Sequence, residues 1–162
     1  MGKIIAIANQ KGGVGKTTTA VSLAACLAGE GKQTLLVDID PQGNATSGLG
    51  ITAGKHTIYE SLINTWPLTG AIQRTSQANL SLLPSDIRLA AAEVELVGLQ
   101  KREFRLRDLI QDIRPDYDFI LIDCPPSLSL LTLNALTAAD SVLVPIQCEY
   151  YALEGVSALM ST

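Results

Sequence analysis

Ile4-Ile5-Ala6-Ile7-Ala8-Asn9-Gln10-Lys11-Gly12-Gly13-Val14-Gly15-Lys16-Thr17-Thr18-Thr19-Ala20 is the stretch that decides the fold. Residues 4–8 form a continuous apolar run, the pattern of a strand buried on both faces of a parallel sheet. Residues 17–28 place Val21, Leu23, Ala24, Leu27 and Ala28 nearly all round a helix, which predicts a buried helix ending near Gly29 and Gly31. The glycines between strand and helix let the backbone wind around an anion with successive N–H groups pointing inward. The helix N-terminus adds its partial positive charge to that cup. The predicted phosphate-binding set is therefore Lys11, Gly12, Gly13, Val14, Gly15, Lys16, Thr17 and Thr18. Within it Lys16 reaches the β and γ phosphates, and the Thr17 hydroxyl is a direct Mg²⁺ ligand. One position departs from the GxxxxGK[ST] pattern: Gln10 stands where the first glycine belongs, and a second lysine, Lys11, follows it. A tight strand-to-helix turn is the bland alternative, and the coincidence of strand, glycines, Lys, Thr and helix argues against it.

Working outward, further apolar runs at residues 35–37, 119–122 and 142–144 read as strands, with another at 80–83. Helical patterns fall at 58–63, 87–97, 104–113 and 128–138, while 40–55 is rich in Gly, Thr, Ser and Asn and reads as a long functional loop. Strands alternating with helices predict an α/β fold of three layers, a mostly parallel central sheet flanked by helices. The length of 162 residues fits one domain spanning the whole chain. Apolar residues make up 47% and aromatics 4%, so the core is built from Ile, Leu, Val and Ala, with no aromatic platform for single-stranded nucleic acid. A net charge of -4 provides no global attraction to DNA or to an anionic membrane. Cys26, Cys124 and Cys148 are odd in number and widely spaced, as reduced thiols of a cytosolic protein are. The first residues are too short an apolar run for a secretory signal, and nothing later approaches a membrane-spanning length. Residues 152–160 read as a helix that runs out without a cap or exit loop, the expectation for a piece of a longer chain.

Ligands of open α/β sheets sit outside the carboxyl ends of the strands, and acidic residues stand there twice. Leu35-Leu36-Val37-Asp38-Ile39-Asp40 ends one strand, and Phe119-Ile120-Leu121-Ile122-Asp123 ends another. The second reads as an apolar strand delivering Asp123 to the Mg²⁺ shell through water. Alternation puts Asp38 and Asp40 on the same side, so spacing does not separate their roles. Cys124 reads as a small apolar filler and His56 has no assigned role. Lys101, Arg102, Arg105 and Arg107, diluted by Glu103 and Asp108, read as a solvated helix face.

The run Lys11-Gly12-Gly13-Val14-Gly15-Lys16-Thr17-Thr18-Thr19, with its leading lysine, resembles the deviant Walker A motif of the ParA, MinD and nitrogenase iron protein group. Asp40-Pro41-Gln42-Gly43-Asn44-Ala45-Thr46 resembles a ParA/Soj switch I, and Asp123-Cys124-Pro125-Pro126-Ser127 a switch II. Together with Pro145-Ile146-Gln147-Cys148-Glu149-Tyr150-Tyr151-Ala152-Leu153-Glu154-Gly155, they look specifically like chromosomal ParA (Soj) rather than MinD. The resemblance implies a P-loop NTPase fold and an ATPase with catalytic Lys11, Lys16 and Asp40, a metal shell of Thr17, Asp38 and Asp123, and ATP and Mg²⁺ as cofactors. Asp40 would position or activate the attacking water. Lys11 would cross an ATP-dependent homodimer to touch the phosphates of the other subunit. Further implied are non-specific DNA binding, a ParB-type partner that stimulates hydrolysis, and a cytoplasmic, nucleoid-associated protein with no membrane attachment. Family members continue past Thr162, where residues gripping adenine and DNA are expected. The competing readings are a MinD-like division regulator, a dethiobiotin-synthetase-like small-molecule ligase, and a bacterial tyrosine kinase using Tyr150 and Tyr151.

Overall fold

In the computed structural model, residues 2–148, 157 and 159–161 are described. The secondary structure begins with β1 (Lys3–Ile7), α1 (Lys16–Gly29), β2 (Thr34–Asp38), α2 (Asn44–Gly48), α3 (Ile58–Asn64), β3 (Gln73–Arg74) and β4 (Leu80–Leu83). It continues with α4 (Leu89–Glu95), α5 (Arg105–Ile110), β5 (Phe119–Asp123), α6 (Leu130–Ala138) and β6 (Ser141–Leu143). The strands form one sheet in the order β3-β4-β2-β5-β1-β6. Every pairing is parallel except that of β3 with β4. The three-layer α/β architecture expected from the sequence is thus present.

Strand alternation generates the layers. Ile4, Ala6, Leu35, Val37, Ile120 and Ile122 face a core shared with α3, α4, α5 and α6. Their neighbours Ile7, Leu36, Leu82 and Leu121 face the opposite core, closed by α1 and α2. The central strands are buried on both sides, which is why they read as unbroken apolar runs.

Three expectations are corrected. Helix α1 is not buried all round: Lys16, Ala20, Ala24 and Ala28, four residues apart, are buried, while Val21, Leu23 and Leu27 are half-exposed. A helix laid on one face of a sheet presents one stripe to it, and here the stripe is alanine, so the backbones approach closely. The loop 40–55 contains α2, a five-residue helix of poor helix formers that is held by tertiary bonds. Strand β6 is half-exposed, with Val142 44% exposed, because it pairs with β1 on one edge only. The two-residue antiparallel β3 was not expected. The predicted helix at 152–160, the Tyr150–Tyr151 pair and the second half of the motif 145–155 lie outside the described residues or nearly so.

One polar clamp fastens β1. Asp140 Oδ2 accepts from the Ile4 amide at 2.8 Å and from Arg114 Nη2 at 2.7 Å, and Arg114 Nε donates to the Gly2 carbonyl at 2.8 Å. The Ile4 amide, helped by Arg114, holds the Asp140 carboxyl below its ordinary value of 3.8. A depressed carboxyl contributes stability that is present above 3.8 and lost as pH falls through the lowered value. We expect Asp140→Ala to lower stability by about 1 kcal/mol at neutral pH, since the carboxylate is partly exposed. Urea unfolding at pH 7 and pH 3 checks this; an equal difference between variant and wild type at both pH values contradicts it.

Candidate phosphate and metal site

The carboxyl ends of three adjacent strands, β1, β2 and β5, meet at one place in the sheet. Parallel register sets Asp123 beside Ile7 on one side and beside Asp38 on the other. The loop from β1 to α1 folds over this point. Gly13 and Gly15 have φ of +72° and +85°, a region that side-chain-bearing residues rarely enter, so the two turns of the cup depend on glycine. A cleft of about 320 Å³ is lined by Gly12, Gly13, Gly15, Lys16, Thr17, Thr18, Asp40, Asn44 and Pro126. A larger cavity of about 730 Å³ lies around Gln33, Arg74, Asn79 and Tyr117, at the amino-terminal side of the strands. The smaller cleft holds the phosphate loop and Asp40, and chemistry rather than size makes it the candidate site.

Lys16 is only 7% exposed, and its Nζ donates to the Lys11 carbonyl at 2.9 Å. Burial lowers its pKa, opposed by the charges of Asp123 and Asp40. Thr17 Oγ1 donates to Asp123 Oδ2 at 2.8 Å, while the buried Asp123 Oδ1 has no hydrogen-bond partner. Burial pushes Asp123 up to about 7, offset in part by the Thr17 bond and reinforced by nearby Asp38 and Asp40. Asp38 is fully buried and occupied: Oδ2 accepts from the Thr46 amide at 2.8 Å and hydroxyl at 2.7 Å, and Oδ1 from the Asp40 amide at 3.1 Å. Burial lifts it to about 6 against those hydrogen bonds. Asp40 lines the cleft, with Oδ1 accepting from the Gln42 amide at 2.9 Å.

Asp40 and Asp123 therefore act on Lys16 while Asp38 stands behind them, a local excess of negative charge that a divalent cation relieves. The bare Asp123 Oδ1 beside the Thr17 hydroxyl fits such an ion. Among the described residues no three His, Cys, Asp or Glu side chains form a complete ligand cage. Asp38, the other acid expected in the metal shell, has both oxygens engaged by hydrogen bonds from Thr46 and Asp40.

Lys11 sits at the loop's entrance, its amide donating to Asn9 Oδ1 at 3.0 Å. Three positioning contacts were not foreseen. Buried Asn9 ties its Nδ2 to the Pro145 carbonyl at 2.9 Å, Gln147 Nε2 donates to the Gly13 carbonyl at 3.0 Å, and Ser85 reaches the Asp40 loop. Away from the site, Cys124 is a buried free thiol with its pKa pushed up by burial. His56 stacks on Trp66 with ring centroids 4.2 Å apart. The basic run is locally engaged: Arg102 pairs with Glu103, Arg107 with Asp108, and Arg105 caps α3 at the Leu62 and Ile63 carbonyls. No helix among the described residues is long and apolar enough to cross a membrane.

A family model described as an AAA domain matches residues 2–162. The sporulation initiation inhibitor protein Soj of Bacillus subtilis (strain 168) is 58% identical over 164 residues, covering 100% of this chain and 65% of that protein. The chromosome partitioning protein ParA of Myxococcus xanthus (strain DK1622) is 59% identical, covering 100% and 58%. The chain thus spans less than two-thirds of either relative. Among solved structures, cobyrinic acid a,c-diamide synthase from Mycobacterium smegmatis with bound ADP and magnesium superposes with a TM-score of 0.94 at 44% identity, covering 99% of this chain and 66% of that one. A plasmid partition protein from Borrelia burgdorferi B31 bound to AMPPNP gives 0.88 at 34% identity, covering 99% and 68%.

Proposed function

The chain belongs to the ParA/Soj family of P-loop ATPases, and from that premise we propose that it is the nucleotide-binding part of an ATP-driven partitioning switch. The observation that carries the reading is the buried Asp123 oxygen without a hydrogen-bond partner, on a carboxylate bonded to Thr17 and electrostatically coupled to Lys16. The loop amides and Lys16 bind the β and γ phosphates of ATP. Thr17 and Asp123 hold Mg²⁺, which when bound neutralises charge on the phosphate oxygens. Asp40, at the rim of the cleft, orients the water that attacks the γ-phosphate, and Lys11 supplies a second cation across an ATP-dependent homodimer. Positioning and charge stabilisation do most of the catalytic work in such a transfer. The ATP-bound dimer binds DNA without sequence preference, and a ParB-type protein stimulates hydrolysis and release.

Support for the switch comes from the two loops at the cleft. One runs from Asp40 through α2, and the other carries Pro125 and Pro126, with Pro126 lining the phosphate cleft. Both loops are placed to gain contacts from a γ-phosphate and to lose them after hydrolysis. The test is co-sedimentation of the intact protein with DNA, together with light scattering, in Mg-ATP and in Mg-ADP. Dimers and DNA association in ATP alone are expected; equal DNA association in both nucleotides defeats the switch.

The likeness to a protein named as a diamide synthase favours a second reading, a small-molecule ligase. That reading needs a substrate pocket continuous with the phosphate loop, whereas the large cavity lies on the amino-terminal side of the strands. Turnover that requires a metabolite and ignores DNA would favour it.

A further inference from the structure

The loop joining β4 to α4 contains a buried hydroxyl that the ATPase reading leaves without a role. Ser85 is 2% exposed, and its Oγ donates to the Asp40 carbonyl at 2.7 Å. Its amide donates to Thr46 Oγ1 at 3.0 Å, and the same Thr46 hydroxyl donates to Asp38 Oδ2 at 2.7 Å. One residue from the neighbouring loop after β4 therefore grips both ends of the segment 40–46. The Asp40 carbonyl also accepts from the Gly43 amide at 2.9 Å, closing a tight turn. Gly43 has φ of +62°, and a Cβ there would lie 3.3 Å from the Ser85 carbonyl oxygen, so the two loops are in close backbone contact.

We propose that Ser85 is a positioning residue for hydrolysis: by holding the Asp40 peptide and the Thr46 hydroxyl, it fixes the direction in which the Asp40 carboxylate faces the cleft. The geometry is specific in two respects. The hydrogen bonds of Ser85 go to the segment 40–46 and not to the phosphate loop, so its loss is expected to leave the phosphate cup in place. It bonds to the backbone of Asp40 rather than to the carboxylate, so it acts on direction and not on charge. Without the Oγ bond the Asp40 carbonyl keeps only the Gly43 amide, and the residue is left to its amide bond on Asp38 and the Gln42 amide on its carboxylate, contacts from its own strand end and turn rather than from the neighbouring loop. Small misplacements of a water-orienting group cost rate much more than they cost binding.

This inference rests on the assignment of Asp40 as the water-positioning acid, and the experiment separates the two. In the intact protein, ATP turnover and the dissociation constant of a fluorescent ATP analogue with Mg²⁺ are measured for wild type, Ser85→Ala, Ser85→Thr, Asp40→Ala and the Ser85→Ala/Asp40→Ala double variant. Expected is a fall in kcat of about tenfold or more in Ser85→Ala, with affinity unchanged within about twofold. Ser85→Thr, which keeps the hydroxyl, recovers most of the rate, and the double variant is no slower than Asp40→Ala alone. If Ser85→Ala does not yield folded protein, Ser85→Cys, with its weakly donating thiol, carries the same comparison. Wild-type turnover in Ser85→Ala, or loss of affinity in step with turnover, overturns the inference while leaving Asp40 in place. Wild-type turnover in Asp40→Ala overturns the underlying assignment, and this inference with it.

Discussion

Lys16→Ala abolishes nucleotide uptake at concentrations where wild type is saturated. The side chain is buried in the glycine cup and is held in the field of Asp123 and Asp40. In the structure its ammonium rests on the Lys11 carbonyl, a short swing from phosphates seated in the cleft. Removing it deletes charge-assisted hydrogen bonds worth about 1.5–3 kcal/mol each. It also leaves the carboxylates facing an anionic ligand with one fewer positive charge. Two such bonds to the β and γ phosphates correspond to a loss of affinity of about a hundredfold or more. Titration calorimetry with Mg-ATP on the intact protein reads this directly, and undiminished uptake removes Lys16 from the phosphate site.

Asp40→Ala should behave in the opposite way, keeping the ligand and losing the reaction. Asp40 lines the rim of the cleft with its carboxylate on the Gln42 amide, so alanine removes no backbone group of the glycine cup and leaves it slightly less negative. Positioned proton acceptors contribute about 10²–10⁴-fold to rate, and a single-turnover assay should show a slowing in that range. In the proposed switch hydrolysis is the exit from the ATP-bound state, so this variant should accumulate as a dimer on DNA. Ready hydrolysis by Asp40→Ala, or its failure to persist on DNA in ATP, would count against the assignment. The pair of substitutions thus divides the cleft into a part that binds and a part that turns over.

What was readable in the sequence follows from how local each piece of chemistry is. The phosphate cup needs its glycines, lysine and threonine to be consecutive, and a strand must precede it and a helix follow, so residues 4–28 display the whole device in order. Asp38 and Asp123 were visible because each closes an apolar strand, and the parallel register then sets them side by side. Ser85 and Gln147 carried no such signal. Their partners, Asp40 and Gly13, lie 45 and 134 positions away, and only the folded chain brings them together. Helix α2 was hidden for a related reason, since Asn44-Ala45-Thr46-Ser47-Gly48 has little intrinsic preference for a helix and is pinned through Thr46 to Asp38. The division of labour between Asp38 and Asp40 also needed the fold: one carboxylate is fully engaged inside the protein and the other lines the opening. For α1, composition misled, because counting apolar residues around the helix could not tell that Ala20, Ala24 and Ala28 alone form the inner stripe.

That alanine stripe has a mechanical consequence. The stripe sets Ala20, Ala24 and Ala28 against the sheet while Val21, Leu23 and Leu27 pack at the flanks of the same core, so turning the helix about its axis would press these bulkier side chains into the strands. Sliding lengthwise is the movement that such a bearing resists least. A push delivered at Gly15 and Lys16 by an arriving ligand would therefore travel down the helix as axial thrust and emerge at its far end near Gly29, on the opposite rim of the sheet.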